Sequence, residues 1–414
     1  MSKKFFIPLM LVATLFMTGC NKDKDNDNKS LEDMDEFLNY PYSELTSDQQ
    51  KVKLEQESID LLNELQAANS LKMIDAFEYF FDLLDWDTPD IDDPWQEGNS
   101  QNAEQWIFDV TNLYGVFTWN SSRKEWTQSN STSELKFVFP SSSKSQSNNA
   151  SLSLKGTNSS ANITWKWEDY WDEYEDIYKL PGSVSGILTV DNKETAKIEA
   201  SAEYQKMDKI EIDEDETIEG SSPVKTNFKI TTEEGYTYQY EIDGKGKSTK
   251  LETQLSRDNK ILIEALYQMD IDIKSLIDDA SEDVDNIFDL DSDVKANGYM
   301  KLMDNLMLVY AIDAANLAEE IDRIDSRYYS YTKQYNDEME KALAQYMKVS
   351  LVSTKDGYKI ADLIPKSERD DYGDYFLNLY LRFNDNTLVE AEAYFSSGFG
   401  KLESKWEDFV DAFR

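Results

Sequence analysis

The sequence predicts an α+β fold, in which a large curved antiparallel β-sheet is covered by helices and carries a long-helix insertion. Three observations support this prediction. Segments rich in β-branched and aromatic residues recur at intervals of roughly 10–15 residues between polar turns, which is typical of an antiparallel meander or a half-barrel. Helical periodicities lie on both sides of this region. The 414 residues are 40% hydrophobic and 13% aromatic, which provides enough apolar surface for a substantial core.

The segment before the sheet predicts a helix over residues 44–84. Its apolar residues recur at steps of mostly three and four, with no Pro or Gly between them: Ile59, Leu62, Leu65, Ile74, Phe77, Phe81 and Leu84. Ser47 followed by Gln50 has the spacing of a capping box, in which two side chains bond the backbone of the first turn. Two prolines then mark a turn-rich connector, so the N-terminal helical segment covers residues 44–98.

Residues 99–273 predict the antiparallel meander. Residues 162–167 alternate apolar and polar side chains, as a half-buried strand does. A Ser-rich stretch at 141–149 predicts a loop. Short polar turns between apolar segments predict three hairpins, at Asp191-Asn192-Lys193, Ile242-Asp243-Gly244 and Arg257-Asp258-Asn259.

Residues 274–346 predict a helical insertion. Residues 299–356 contain neither Gly nor Pro, and a heptad-like stripe runs through them: Tyr310, Ala314, Leu317, Ile321, Ile324, Tyr328, Tyr331, Tyr335, Met339, Ala342 and Tyr346. This pattern predicts one helix of about ten turns, after a shorter helix near 274–290. The tyrosines favour packing on the sheet or on a partner helix over a dimeric coiled coil, whose seam is usually leucine-rich.

The C-terminal section, residues 347–414, predicts further strands and a final helix. Apolar and β-branched residues predict three strands, at 348–352, 376–383 and 388–394. The polar turn 384–387 joins the last two as a hairpin, and a helical periodicity fits residues 401–413.

The only cysteine, Cys20, ends a segment with the anatomy of a signal peptide. Lys3 and Lys4 precede an apolar run over residues 5–17 that is too short to span a bilayer, and small residues come directly before the cysteine. This arrangement looks like a bacterial lipobox, which implies that residues 1–19 are removed and that an acylated Cys20 anchors the protein to a lipid membrane. An ordinary cleaved signal and a membrane-anchor helix are the alternatives.

Residues 20–43 predict a lipid-anchored polar and acidic linker. Residues 21–30 contain no apolar side chain and are expected to be disordered. A Lys- and Asp-rich stretch directly after the acylated cysteine resembles the export signal of surface lipoproteins of Bacteroidota. The resemblance implies a cell outer-membrane location with the body exposed at the surface, and the periplasmic face is the alternative.

The composition excludes several classes of function. The 82 acidic and 42 basic residues give a net charge of −40, which repels the phosphate backbone of nucleic acids. Because the chain contains no histidine, Ser-His-Asp and Cys-His catalysis and the usual zinc sites cannot form. Residues 289–293 resemble the start of an EF-hand loop, but Val294 and Met300 stand where that loop requires Gly and Glu. We therefore expect no catalytic residues, no cofactor and no bound metal.

Four segments of this chain are similar to an uncharacterised family of envelope lipoproteins of Bacteroidota. They are Tyr114 to Asn120, Leu135 to Pro140, Asn148 to Leu152 and Ser185 to Lys193. The similarity covers residues 1–270 loosely and consists of strand and turn signatures. It implies an envelope lipoprotein and supplies no activity or catalytic residue.

The segment from Trp165 to Tyr178 combines aromatic and acidic side chains. On a helix beginning at residue 167, one face would carry Trp167, Tyr170, Trp171, Tyr174 and Tyr178, with acidic residues on the other. Aromatic rings stack on the C–H faces of sugars and carboxylates accept hydrogen bonds from hydroxyls. The candidate ligand-binding residues are therefore Trp165, Trp167, Tyr170, Trp171 and Tyr174. The alternative is a short amphipathic helix that packs its aromatic face on the sheet.

Three functions remain open at the level of the sequence. The first is a non-enzymatic, lipid-anchored binding or structural module of the cell envelope, with a glycan or other envelope proteins as partners. The second is a half-barrel carrier of an apolar ligand, with the helix at 44–84 as a lid. The third is a carboxylate-based glycoside hydrolase, which needs no histidine.

Overall fold

The computed structural model describes residues 31–66, 68, 71–86, 95–98, 105–108, 113–168, 173–213, 216–246, 248–271, 294–303, 305–396, 401, 404 and 405. It confirms the predicted fold class, because 53% of the described residues are strand, mostly in one large antiparallel sheet, and 25% are helix. Cys20 and the linker up to residue 30 lie outside the described residues, as do the predicted helix at 274–290 and the acidic segment 289–293.

Six helices and eighteen strands are labelled here within the described ranges. The helices are α1 (Leu31–Leu38), α2 (Ser47–Gln66), α3 (Lys72–Trp86), α4 (Ala314–Asp325), α5 (Lys333–Tyr346) and α6 (Ala391–Ser396). The first nine strands are β1 (Trp95–Gly98), β2 (Gln105–Phe108), β3 (Gly115–Asn120), β4 (Glu125–Asn130), β5 (Leu135–Phe139), β6 (Ala150–Glu168), β7 (Glu173–Val190), β8 (Lys193–Asp213) and β9 (Glu216–Thr232). The others are β10 (Tyr236–Asp243), β11 (Thr249–Arg257), β12 (Lys260–Met269), β13 (Lys295–Leu302), β14 (Leu306–Asp313), β15 (Met347–Ser353), β16 (Tyr358–Arg369), β17 (Tyr375–Arg382) and β18 (Leu388–Glu390).

Strands β5 to β18 form a continuous meander in chain order, in which each strand pairs antiparallel with the next. At the far edge β3 pairs parallel with β5, and β4 closes that edge. Strands β1 and β2 form a separate two-stranded hairpin whose second strand contacts β7.

The predicted hairpins are confirmed. Asp191-Asn192 and Asp258-Asn259 connect β7 to β8 and β11 to β12, and all four residues have positive φ values between 50° and 66°. Asp and Asn tolerate this left-handed conformation, which the tight turns of antiparallel hairpins require. The turns after Asp243 and after Arg382 also join antiparallel neighbours, as predicted.

The helix predicted over 44–84 is two helices, α2 and α3, and its cap lies one residue earlier than predicted. The backbone N–H of Gln49 donates to Thr46 Oγ1 at 3.3 Å, and the N–H of Thr46 donates to Gln49 Oε1 at 3.0 Å. The capping box is therefore formed by Thr46 and Gln49 rather than by Ser47 and Gln50. Gln50 is instead buried in the protein.

The helices cover both faces of the sheet. Phe77 and Phe80 of α3 pack against aromatic residues of the first strands, among them Phe117 and Phe137. The same face of the sheet continues through a row of successive cross-strand partners, Ala200, Phe228, Tyr240, Thr253 and Ala265. Met34 and Leu38 of α1 contact Leu266, which follows Ala265 and therefore points to the opposite face.

The single long helix predicted along the stripe from Tyr310 to Tyr346 is wrong. Residues 295–302 and 306–313 form β13 and β14, so Tyr310 lies on a strand, and the remaining residues of the stripe form the helix pair α4 and α5. Most of these stripe residues do pack together, around buried Ile324, Met339 and Ala342 and against Leu377 of β17. The predicted packing is thus confirmed for the stripe from Leu317 to Ala342, except at Tyr331, which is 56% exposed.

The C-terminal section follows the prediction in part. Strands β15 and β17 lie where expected, whereas β16 was not predicted. The strand predicted at 388–394 is only three residues long and is followed by the helix α6. Of the predicted final helix, Lys401, Ser404 and Lys405 are described and are helical. In the part of the chain that the structure describes, no helix combines the length and hydrophobicity needed to cross a bilayer.

Candidate functional site: the aromatic face of the β6–β9 arm

Strands β6 to β9 extend beyond the rest of the sheet and form an arm. Each of them is 17 to 21 residues long, but β5 pairs only with Ala150 to Leu154 of β6, and β10 pairs only with Lys225 to Thr231 of β9. We call residues 155–168, 173–184, 201–213 and 216–224 the arm. At about 3.3 Å per residue, it projects roughly 40 Å past the neighbouring strands.

The strand order changes within the arm. Strands β7 and β8 pair only between Val190/Lys193 and Ser183/Ser201. Beyond that point β6 pairs with β9, from Ile163/Gly220 to Trp167/Glu216. The order β6-β7-β8-β9 near the core thus becomes β7-β6-β9-β8 near the tip, so the two hairpins of the arm are joined at both ends.

Gly220 makes the β6–β9 pairing possible. Its φ is +131°, a region that residues with a Cβ rarely adopt, and a Cβ there would lie 2.3 Å from the carbonyl oxygen of Asn162. The backbone of β9 can therefore approach β6 closely only because residue 220 has no side chain.

The tryptophans predicted as ligand-binding residues lie side by side on the arm. Trp165 and Trp167 are two residues apart on β6, so they point to the same face, and their ring centroids are 5.0 Å apart with an angle of 43° between the planes. Both side chains are half-buried. The indole Nε1 of Trp165 is buried and has no hydrogen-bond partner among the described residues.

The helix predicted from residue 167 onward is wrong, because Trp167 lies in β6, which ends at Glu168, and Tyr174 lies in β7, which begins at Glu173. Trp167 and Tyr174 face each other in the β6–β7 register. The side chain of Tyr174 lies outside the described part of the structure, as do Tyr170 and Trp171 entirely. The structure therefore brings together Trp165, Trp167 and the backbone of Tyr174.

Two further residues belong to this aromatic face. Ile218 of β9 is the cross-strand partner of Trp165 and was not predicted. Tyr178 of β7, which the sequence placed on the aromatic face of the predicted helix, is the partner of Ile163. Cross-strand partners point to the same side of a sheet, so these residues extend the face on both sides of the tryptophans. Because Ile218 belongs to a distant strand, no local pattern indicates it.

The opposite face of the arm is charged. Lys166 lies between the two tryptophans in sequence and forms an ion pair with Glu219 of β9. The hydrogen bond from Lys166 lowers the pKa of Glu219 below its usual value of 4.5. The arm thus combines an aromatic face with a carboxylate-bearing face, as an alternating strand pattern requires.

Other polar clusters among the described residues have a structural role. Lys53 Nζ lies 3.1 Å from Oγ of the buried Ser353, which is the spacing of a Ser-Lys pair. However, both groups also bond Asp356, and the hydrogen bond from Lys53 lowers the pKa of that carboxyl. An ammonium group paired with a carboxylate does not accept a proton, so this cluster links α2 to the β15–β16 turn.

The described residues offer no metal or carboxylate centre. They contain no group of three or more acidic side chains placed to hold a metal ion. Burial raises the pKa of Asp270, but no second described carboxyl has a resolved upward shift to accompany it. No protein-family model, curated protein or solved structure matches this chain.

Proposed function

We propose that this protein is a lipid-anchored, non-enzymatic module of the cell envelope that binds glycan through the aromatic face of its arm. The observation that carries the proposal is the adjoining pair Trp165 and Trp167 on strands that project beyond the core. Neighbouring indole rings offer a surface for the C–H face of a sugar. The pairing of β6 with β9 holds this surface in place, which lowers the entropic cost of binding.

The proposed location rests on the N-terminal sequence. The charged and apolar segments before Cys20 support acylation of this cysteine, and residues 21–30 provide a polar linker between the lipid and the body. The similarity to envelope lipoproteins of Bacteroidota supports an outer-membrane location with the body at the cell surface. Other envelope proteins are then available as partners.

The two alternative functions have less support from the described residues. For a carrier, the one favourable feature is a strip of exposed apolar side chains, with Tyr267 at 44% and Met300 at 40% exposure on the face that α3 covers elsewhere. For a hydrolase, a protonated carboxyl and an ionised carboxylate must converge on one cleft, whereas the charged group that acts on Asp270 is Lys295.

Substitution of the arm tryptophans tests the proposed glycan binding. We expect Trp165→Ala and Trp167→Ala to weaken binding tenfold or more, because each removes one stacking ring. The measurement is calorimetric titration of the full chain in detergent with maltohexaose, cellohexaose, xylohexaose and mannohexaose. Tyr358→Ala is the matched control, since this aromatic residue is 45% exposed on β16 and is not part of the arm.

Thermal unfolding of the same variants separates binding from packing. The proposal requires that Tm stays within a few degrees of the unsubstituted protein while affinity is lost. A large drop in Tm together with unchanged affinity would show that the tryptophans are core residues and would contradict the proposal.

A further inference from the structure

A second aromatic surface lies at the turn between α4 and α5. Tyr329 is 73% exposed and Tyr331 is 56% exposed. Their rings are nearly parallel, with an angle of 10° between the planes and 5.9 Å between the centroids. We call these two residues the tyrosine platform. Single exposed aromatic residues are common on protein surfaces, but an ordered, nearly parallel pair is not explained by chance exposure.

Hydrogen bonds from a buried asparagine side chain hold the turn that carries the platform. Asn336 is 3% exposed, and its Nδ2 lies 2.7 Å from the carbonyl oxygen of Ser330, 3.0 Å from that of Thr332 and 3.0 Å from that of Tyr375. The backbone N–H of Tyr375 in turn donates to the carbonyl of Tyr331 at 2.9 Å. The turn is thus bonded both to α5 and to strand β17.

The hydroxyl of Thr332 fixes the other half of the turn. It donates to the carbonyl oxygen of Tyr329 at 2.7 Å and accepts from the backbone N–H of Tyr335 at 3.3 Å, where it caps α5. The backbone carbonyl groups of Tyr329 and Tyr331 therefore both accept hydrogen bonds. A surface that is ordered before binding pays less conformational entropy when a ligand arrives.

The core of the helix pair does not use the platform. Tyr328 and Tyr335, from the same stretch of sequence, pack in the cluster around Ile324 and Met339. Tyr329 and Tyr331 do not belong to that cluster, and their rings point to solvent. Packing of α4 against α5 consequently gives no reason for two tyrosines at these positions.

We infer that Tyr329 and Tyr331 form a second glycan-binding surface, specific for neutral oligosaccharides. The inference rests on the proposed function of glycan binding but on residues outside the arm. Polar residues surround the two tyrosines in sequence. Ser330 lies between them, and Thr332 and Lys333 follow Tyr331. This surrounding suits a ligand with many hydroxyl groups, because hydroxyl and ammonium groups beside the rings can hydrogen-bond it. The net charge of −40 disfavours an anionic glycan.

The platform lies at the same end of the sheet as the arm. Strand β14 leads into α4, and eight antiparallel steps separate β14 from β6 in the sheet. Because direction alternates at each step, β14 and β6 run the same way, and both end at the same edge of the sheet, beyond which the arm projects.

Alanine substitutions of the platform test the inference. The full chain in detergent is titrated with maltohexaose, cellohexaose, xylohexaose and mannohexaose, and with hexagalacturonate as an anionic counterpart. We expect at least one neutral hexasaccharide whose affinity falls tenfold or more in both Tyr329→Ala and Tyr331→Ala, and we expect hexagalacturonate to bind more weakly than that ligand. Tyr372→Ala is the matched control, because this residue is 94% exposed in the neighbouring β16–β17 turn.

The arm variants distinguish failure of this inference from failure of the proposed function. A hexasaccharide whose affinity falls in the tyrosine variants but not in Trp165→Ala and Trp167→Ala supports the platform as a separate site. Loss of affinity in the tryptophan variants alone overturns the platform and leaves the arm proposal intact. Absence of binding to every neutral hexasaccharide overturns both, as does retained binding in all four variants. Capture of an envelope protein that depends on Tyr329 and Tyr331, without glycan binding, assigns the platform to a protein interface and overturns the inference.

Discussion

Asp362 shows how one buried carboxylate ties the N-terminal segment to the sheet. Its side chain is 14% exposed and bonds Tyr42 Oη, Lys359 Nζ at 2.9 Å, Arg382 Nη2 at 2.8 Å and Ser350 Oγ at 2.7 Å. Tyr42 also pairs with Lys359 as an isolated bridge. The segment between α1 and α2 is thereby fastened to β16 and β17.

The charge of Asp362 makes this fastening depend on pH. Burial by itself raises the pKa of the carboxyl, but hydrogen bonds from Arg382, Tyr42 and the other donors lower it from 3.8 to about 2. Because the folded-state pKa lies below the unfolded one, the stabilisation is complete above about pH 4 and is lost as the pH falls through about 2. The shift corresponds to roughly 2–3 kcal/mol.

We expect Asp362→Asn to destabilise the protein by about 2–4 kcal/mol at pH 7, because it leaves Lys359 and Arg382 without a carboxylate. The difference in free energy of unfolding between the variant and the unsubstituted protein should shrink between pH 4 and pH 2, where Asp362 itself becomes neutral. Denaturant unfolding at several pH values measures this difference. Glu194→Gln, on an exposed side chain of β8, is the control and should show no such trend. A difference that stays constant down to pH 2 would contradict the assigned role.

At the scale of elements, the hairpins of the meander could be predicted because their signals are local. Asp and Asn tolerate the positive φ that a tight hairpin turn requires, so the dipeptides Asp191-Asn192 and Asp258-Asn259 indicate the turns. The β13–β14 hairpin was not predicted, although its turn contains Asp304-Asn305, the same dipeptide as the two predicted turns. The heptad-like stripe that begins at Tyr310 favoured a helix for this section instead, and Met303, which adopts a positive φ of 52°, gives no turn signal of its own.

The candidate site was predicted in its residues but not in its geometry. Trp165 and Trp167 could be chosen because aromatic and acidic residues are concentrated there. The spacing that suggested a helix arises from two strands read across a hairpin, with Trp167 and Tyr174 as partners. The β6–β9 pairing joins residues about 50 positions apart and depends on the backbone conformation of Gly220. No local pattern indicates such a pairing.

Gly220→Ala tests whether this pairing maintains the arm. The positive φ alone costs about 1–3 kcal/mol for a residue with a side chain, and the added Cβ would also collide with the carbonyl of Asn162. We expect faster hydrogen exchange at residues 163–167 and 216–220, with the main sheet protected as before. Gly246→Ala is a matched control, because Gly246 also has a positive φ, of 90°, but no atom within 4 Å of a new Cβ. Equal exchange in the two variants would show that the close backbone approach does not hold the arm together.

At the scale of the whole molecule, the two ends of the sheet differ. Side chains of α2 and α3 bond the turns at one end: Lys53 with Asp356, Glu57 with Asn305, Glu64 with Arg257 and Lys260, and Lys72 with Asp191. The arm, and the turn between α4 and α5 that carries the tyrosine platform, follow strand ends on the other side of the sheet. The bonds from α2 and α3 thus hold one end of the sheet, and the two proposed glycan-binding surfaces lie at the other.

The proposed membrane attachment depends on the lipid. A net charge of −40 repels an anionic bilayer surface, so in the proposed envelope location we expect association to depend on the acyl chains of Cys20. Each buried methylene contributes about 0.8 kcal/mol, and two or more chains give stable anchoring. We expect Cys20→Ser to abolish palmitate labelling and to move the protein out of the outer-membrane fraction, whereas Asn21→Ser, at the next position, should retain both. Recovery of the unsubstituted protein from the cytosol without label would show that the N-terminal segment is not a lipoprotein signal, and the envelope function proposed here would lose its basis.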